Sequence, residues 1–455
     1  MIGIEIDFDA GLRLNCSMNT LRAAVIAGWM LSAGGVLADD LPLIEKVDLQ
    51  PLQVNSNRLL QALNFAGNPL TEDQVARITQ PPNPPGVPSK IRIIQETLDP
   101  LCLAAITINP ESRVSVKAGP ARPLLVEKDW ALFLLKVHNQ AGVTAPLAVT
   151  SEAPEVEAAL FVDRPLTDRL SGVEVDYRVL VLKANQAGRL ATVLSFDVGQ
   201  GTQDLGFRSD LLVNFEVVPT FPVTFQVTDE DGKPTTAAFE IRDEESQVWP
   251  SQVHRVEPDF RFHPQVYRAT GEKVHLADGS YTFTASRGPE YQPSSFDVEV
   301  KGKPQTVKIE LQRWIDPSKL GWWSGDHHIH AAGCKHYENP TEGVHADAML
   351  RHIVGEDLKV GANLTWGPCF DYQKQFFTGE VDVVSTYPYL LRYDIEVSGF
   401  GSHRSGHLCL LRLREQIYPG GDSSDHWPTL CLNTLKWAQK QGAVCGPAHS
   451  GWGLA

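Results

Sequence analysis

The chain has 455 residues, enough for two to four domains, and its 42% hydrophobic and 21% charged residues are the balance of a globular protein. A formal net charge of −15 excludes a protein that grips nucleic acid through a broad basic face. It does not exclude an anionic substrate, because a bound cation sets the local field whatever the global charge.

Arg22 precedes an apolar run from Ala23 to Ala38, which ends Val36-Leu37-Ala38 before Asp39-Asp40. A positive start, an apolar middle and a small residue at the end mark a leader peptide. Residues 1–38 are therefore expected to be a signal peptide, with Met18 as an alternative start, and the protein is expected to be exported, to the periplasm or beyond. The run is short for a bilayer span, and no transmembrane segment is expected elsewhere. Of seven cysteines, Cys16 falls in the leader, while Cys334, Cys369, Cys409, Cys431 and Cys445 lie in the last third. None forms a C-x-x-C pair, so no zinc ribbon is written here. Disulfides and buried free thiols both remain open.

Residues 39–89 read as a helical region followed by a linker. Thr71 and Gln74 have the spacing of a capping box ahead of a short amphipathic run, and Pro81-Pro82-Asn83-Pro84-Pro85-Gly86-Val87-Pro88 is a stiff break. From 90 to 218 the pattern alternates with period two, as in Arg113–Ala118, Ala131–Val137, Tyr177–Lys183 and Leu211–Val218. Short alternating runs separated by turn-formers predict an antiparallel sandwich. A second β unit, 219–313, is predicted to be an immunoglobulin-like sandwich, with Asp229-Glu230-Asp231-Gly232 as a hairpin turn. Its aromatic residues Trp249, Phe260, Phe262, Tyr267 and Tyr291 either fill the sandwich core or line a ligand groove. Such modules are the parts that would touch a cell surface or a carbohydrate.

At Trp314 the composition shifts. Ten of the fourteen histidines lie between His327 and His449, and strand-like runs alternate with helix-like ones, which predicts an α/β domain with a parallel sheet or barrel over 314–455. Gly325-Asp326-His327-His328-Ile329-His330 reads as a strand end. Alternation would put Asp326, His328 and His330 on one face and His327 and Ile329 on the other, with Trp322-Trp323 packing the strand. Two imidazoles two residues apart beside a carboxylate suit a divalent metal, and Cys334, His336, Glu338 and His345 follow closely.

Gly-Asp-x-His-x-His at the end of a first strand resembles the PHP (polymerase and histidinol phosphatase) superfamily of metal-dependent hydrolases, most of all its carbaryl-hydrolase-like (CehA/McbA) type. Tyr393-Asp394-Ile395-Glu396-Val397 with Gly406-His407, and Gly446-Pro447-Ala448-His449-Ser450-Gly451, resemble its later motifs. The resemblance implies metal ligation by His328, His330, Glu396, His407 and His449, with Glu396 bridging one to three Zn, Mn or Fe ions. Around such ligands Glu396, Asp326 and His403 are the catalytic candidates, and Asp326, His403 and Asp371 are groups that could orient a ligand or move a proton. The superfamily's Asp-His pair after the second strand has no counterpart in Gly361-Ala362-Asn363-Leu364-Thr365-Trp366-Gly367, where Glu356-Asp357 are the nearest acids. The segment from Trp314 to Ala455 is shorter than a seven- or eight-stranded barrel needs, so a PHP-like (βα) barrel-type domain cut short at its C-terminus is expected behind the β-sandwich modules.

The implied activity is hydrolysis of an ester-like bond in a small molecule (a phosphoester, carbamate or amide) by metal-activated water. The rival expectation is a non-enzymatic extracytoplasmic binding protein whose β modules do the work beside a degenerate metal site. Neither a nucleophile elbow, since Ala448 replaces its first glycine, nor a dinucleotide or phosphate loop is present.

Overall fold

A computed structural model describes residues 40–80, 86–163, 165–199, 209–331, 339 and 343–449. The leader region, the first five residues of the proline linker, and Cys334, His336 and Glu338 lie outside the described residues.

Three helices come first: α1 (Leu49–Phe65), α2 (Glu72–Thr79) and α3 (Val87–Leu98). The capping box forms, with the Gln74 amide donating to Thr71 Oγ1 at 3.3 Å and the Thr71 amide to Gln74 Oε1 at 3.0 Å. Nine strands follow: β1 (Cys102–Ile108), β2 (Val114–Ala118), β3 (Leu124–Val126), β4 (Trp130–Asn139), β5 (Ala148–Ser151), β6 (Val156–Leu160), β7 (Val175–Ala184), β8 (Gly188–Asp197) and β9 (Asp210–Val218). They pair as two sheets, β2-β1-β4-β7-β6 and β3-β9-β8-β5. Ile106, Leu135, Leu180, Phe196 and Phe215 fill the space between them. The outer face of the first sheet is apolar too, and Leu52, Leu59 and Ile94 of the helices cover Leu134, Tyr177 and Val179. That explains why β7 is buried along nearly its whole length instead of alternating.

The next nine strands are β10 (Thr220–Thr228), β11 (Thr236–Asp243), β12 (Val266–Ala269), β13 (Lys273–Ala277), β14 (Gly279–Ser286), β15 (Tyr291–Gln292), β16 (Ser294–Val300), β17 (Gln305–Glu310) and β18 (Gln312–Arg313). Sheets β13-β10-β17 and β12-β11-β14-β16 enclose a core of Phe225, Phe239, Phe283 and Val223. Between β11 and β12 the chain makes a long excursion over 244–265.

The last region contains β19 (Gly325–Ile329), α4 (Ala346–Gly355), β20 (Val360–Thr365), the single turn α5 (Phe370–Gln373), β21 (Leu390–Val397), β22 (Leu408–Leu411), α6 (Cys431–Lys440) and β23 (Val444–Pro447). Here the expected barrel-type α/β domain is corrected. The sheet order is β19-β20-β21-β22-β23, parallel only across the first three strands and antiparallel across the last three. Among the described residues β19 and β23 are unpaired on their outer sides, so the sheet is open. The physical reason lies in the connection 398–407. It has no crossover helix, and Gly399, Gly401 and Gly406 take positive φ there, so β22 returns beside β21. The molecule is predominantly β. Trp322 and Trp323 do not pack the first strand either; both are exposed.

Candidate metal centre

Parallel strands β19, β20 and β21 end on the same side, and the turns beyond them meet there. Gly367 N–H, after β20, donates to the Ser398 carbonyl after β21 at 2.6 Å. On the other side the Ala448 amide donates to the His407 carbonyl at 3.0 Å, which ties the end of β23 to the start of β22. These contacts gather side chains from four strand ends around one buried carboxylate.

That carboxylate is Glu396, on β21, its side chain only 3% exposed. Oε2 stands 3.0 Å from His328 Nε2 and 3.1 Å from His330 Nε2. Oε1 stands 3.3 Å from His407 Nδ1 and 3.7 Å from His449 Nε2, and those two ring nitrogens are 3.1 Å apart. Ligands about 2.1 Å from a tetrahedral ion lie roughly 3.4 Å from one another. Both donor sets, His328-His330-Glu396 and Glu396-His407-His449, therefore have the spacing of a divalent-ion site. Two ring nitrogens facing each other at this range repel unless a proton or a cation lies between them. The residues present fit the metal that the resemblance implies.

The electrostatics follow from that crowding. Burial pushes the Glu396 carboxyl up, but the hydrogen bonds and charge of His328 and His330 outweigh it and hold the carboxyl well below its ordinary range. The same bond to Glu396 raises His328 against the opposing effect of burial, and the Ala448 carbonyl accepts from its ring. With one ring nitrogen donating to a carbonyl, the other keeps its lone pair for an ion. His407 is lowered, first by burial and then by the neighbouring His449 and His403, against the pull of Glu396.

The structure also places the remaining predicted residues. Asp326 is not among the donors; its Oδ1 accepts the His328 backbone amide at 2.9 Å and orients that strand end. His403 sits in the turn before His407, close enough to act on it electrostatically but outside the donor sets. Asp371 is exposed and pairs with Lys374 at 3.1 Å. His345 pairs with Glu257. Neither acid before β20 replaces the missing Asp-His pair. Glu356 accepts from Tyr267 Oη at 2.5 Å, and Asp357 is held by Arg313, Tyr389 and Lys359.

Three features were not read from the sequence. The β19–β20 pairing shifts register between Asp326 and Ile329, which breaks the strict alternation and brings His327 into a group with His328 and Cys409. Cys409 lies opposite Glu396 in the antiparallel register, with Sγ 4.0 Å from His328 Nδ1. Burial, with the Glu396 charge, pushes its thiol up to about 12. Trp366, in the position where an acid or histidine was expected, stacks on His330 with centroids 5.0 Å apart and planes 10° apart. A strand pairing one residue out would have hidden all three, and only the pairing reveals them.

No family model matches the sequence, and no curated protein matches it. Among solved structures the chain is similar to BcpA, the major pilin subunit of Bacillus cereus, at 11% identity and a TM-score of 0.17, covering 46% of this chain and 67% of the pilin. It is similar to the Corynebacterium diphtheriae major pilin SpaA at 9% identity and a TM-score of 0.19, over 42% and 66% of the two chains. A third, phospholipase PlaB from Legionella pneumophila, aligns over 26% of this chain and 30% of its own at 10% identity and a TM-score of 0.16. The chain thus spans about two thirds of the pilins' lengths, at scores too low to carry a fold or a function across.

Proposed function

We propose that this protein is an exported metal-dependent hydrolase acting on an ester-like bond of a small molecule. The observation that carries the reading is the two-sided carboxylate: Glu396 turns one oxygen to His328 and His330 and the other to His407 and His449. A carboxylate in that position would be able to hold a cation on each side, as the resemblance to the PHP superfamily implies, although the open mixed sheet is not that superfamily's barrel. The leader-like run ahead of Asp39 supports export.

Zinc, manganese or iron at these donors supplies Lewis acidity, polarising a carbonyl or phosphoryl oxygen and making hydroxide available near neutral pH. The chain's own residues do the rest. Glu396 stays ionised and neutralises part of the cationic charge. The Ala448 carbonyl fixes the His328 tautomer, Trp366 holds the plane of the His330 ring, and Asp326 fixes the backbone that presents them. Among the described residues His449 is 41% exposed, which leaves its side of the cluster reachable by water. His403, near His407 and half-buried, is the group suited to move a proton to the departing fragment.

The test is elemental analysis of the purified full chain and of a His328→Ala/His330→Ala double variant. Near-stoichiometric zinc, manganese or iron that is lost in the variant supports the reading and is followed by a screen of phosphoesters, carbamates and amides. No metal in the wild-type chain, even after reconstitution, overturns it. Metal without turnover in the screen leaves the rival, an extracytoplasmic binding protein that works through its β modules.

A further inference from the structure

We infer that the cleft where the two β modules meet is a second binding site, one that takes a small molecule carrying an ammonium group on an apolar stem. None of its lining residues belongs to the last region, and the inference stands apart from the reading of the His/Glu cluster as a metal centre.

The cleft has a volume of about 490 Å³. One side is apolar: Leu124 and Val126 of β3, Val218 at the end of β9, and Pro219 in the link between the modules. The other side comes from two turns of the second module, one after β11 and one where β13 runs into β14. They bring together Asp243, Glu244, Glu245 and Asp278, with the ring of Trp249 among them. Among the described residues no lysine, arginine or histidine lines the cleft. Arg242, the neighbour of Asp243 on β11, is held by Glu240 and the Ser246 carbonyl instead. Burial first, and then the charges of Asp243, Asp129 and Asp278, push the phenol of the buried Tyr281 up, so the field of these acids reaches inside the lining.

Each side narrows the ligand. A cleft lined by one sign of charge concentrates ions of the other sign. Trp249 adds a second attraction of the same kind, because an indole ring draws an ammonium to its face. Its N–H donates to Asp243 Oδ2 at 2.8 Å, which enriches the ring in electrons and fixes it beside the acid. The ring stands at 85° to Tyr281, with centroids 6.2 Å apart. Asp243 is itself held, since its Oδ1 accepts the Glu245 and Gln247 amides at 3.1 and 2.8 Å, and Asp278 accepts the Gly302 amide. Two of the four carboxylates are thus set before a ligand arrives, which lowers the cost of binding. A bare metal ion would make no use of the apolar side, and a neutral apolar molecule would leave the carboxylates unbalanced. An ammonium on an alkyl stem uses both. Apolar walls with a few placed polar groups, at the junction of two modules, are the form of a small-molecule site.

The test uses the full chain at neutral pH and two probes with the same stem, n-pentylammonium and 1-pentanol, titrated by saturation-transfer NMR. Wild type is expected to bind the ammonium at least about ten-fold more tightly than the alcohol. Raising the salt from about 0.05 to about 0.5 M should weaken the ammonium several-fold and leave the alcohol unchanged. Glu244 and Glu245 are exposed, so the double variant Glu244→Gln/Glu245→Gln keeps the fold. It should cut the ammonium affinity by at least about five-fold and leave the alcohol unchanged. Trp249→Phe, which keeps an aromatic ring in the lining but loses the bond to Asp243, should weaken the ammonium several-fold. Equal affinity for the two probes in wild type, or an ammonium affinity that both variants retain, overturns the site. Absence of transfer to the ammonium in wild type overturns it as well. Binding of Ca²⁺ without binding of the ammonium also overturns it and makes the acids an ion site only.

Discussion

Glu396 concentrates the chemistry of the site in one side chain. In the metal-free protein it and His328 stabilise each other, and the two shifts have opposite pH signs. The carboxyl is held below its ordinary 4.5, so its contribution is present above that pH and fades as pH falls. The imidazole is raised above its ordinary 6.5, so its contribution is present below that pH and fades as pH rises through the folded value. The stabilisation should therefore peak between about pH 4.5 and 6.5. Glu396→Gln is expected to flatten that peak in thermal melts of the metal-free chain and to move the His328 titration down, as followed by imidazole NMR. It should also weaken zinc binding by at least about 100-fold. An unchanged His328 titration would show that the pair does not form. The His328/His330 pair was legible in the sequence because two imidazoles two residues apart are a local pattern, whereas Glu396, His407 and His449 were named only through the family resemblance. Cys409 and Trp366 were not legible, because their positions beside the histidines depend on strand register.

At the level of elements, the site depends on two turns that touch. Gly399, after β21, has φ +72°, and a Cβ there would lie 2.7 Å from the Gly367 Cα in the turn after β20. Backbone cannot yield as a flexible side chain would. Gly399→Ala should therefore cost roughly 2 kcal/mol or more through strain and displacement together. It should also weaken metal binding, because the same turn leads from Glu396 to His407. Gly442→Ala is the control: its φ is +76° but its Cβ meets nothing within 4 Å, so only the conformational cost of about 1 kcal/mol applies. Denaturant melts with zinc titrations separate the two, and equal effects would refute the argument from the close approach. This turn also explains where the fold reading failed. Period-two alternation identifies strands, as in Leu211–Val218, but says nothing of whether a following strand returns parallel or antiparallel. That choice at 398–407 was made by glycines in left-handed conformations and by the absence of a crossover helix.

Across the whole molecule, buried charges join the three regions. Asp129 of the first module accepts the Ser251 amide of the second, and burial, against those bonds and the nearby Arg255, raises its carboxyl to about 6. A raised carboxyl stabilises the fold below its unfolded value of about 3.8, and that stability is lost as pH rises through about 6. The loss is on the order of 3 kcal/mol. Asp129→Asn should remove this slope from the stability profile between pH 4 and 6; an unchanged slope would assign it to another group. The second joint is larger. Arg313 reaches Glu230 and Glu290 of the second module at one end and Asp357 of the last region, 2.9 Å away, at the other. Arg287 and Lys359 crowd the same Asp357, and Gly288 allows the backbones to meet, since a Cβ there would lie 2.0 Å from the Glu356 carbonyl. Asp357 is thus one carboxylate among three cations in a dry space. Replacing it by asparagine leaves their charge unbalanced, and a buried pair broken from one side costs about 3–5 kcal/mol. Asp357→Asn is therefore expected to lower the melting temperature by several degrees and to split the calorimetric transition, the last region melting before the second module. Asp231→Asn, which removes an exposed partner of Lys233, should leave the melting temperature essentially unchanged. If the two variants melt alike, the joint is held by apolar packing and the charges only fill it.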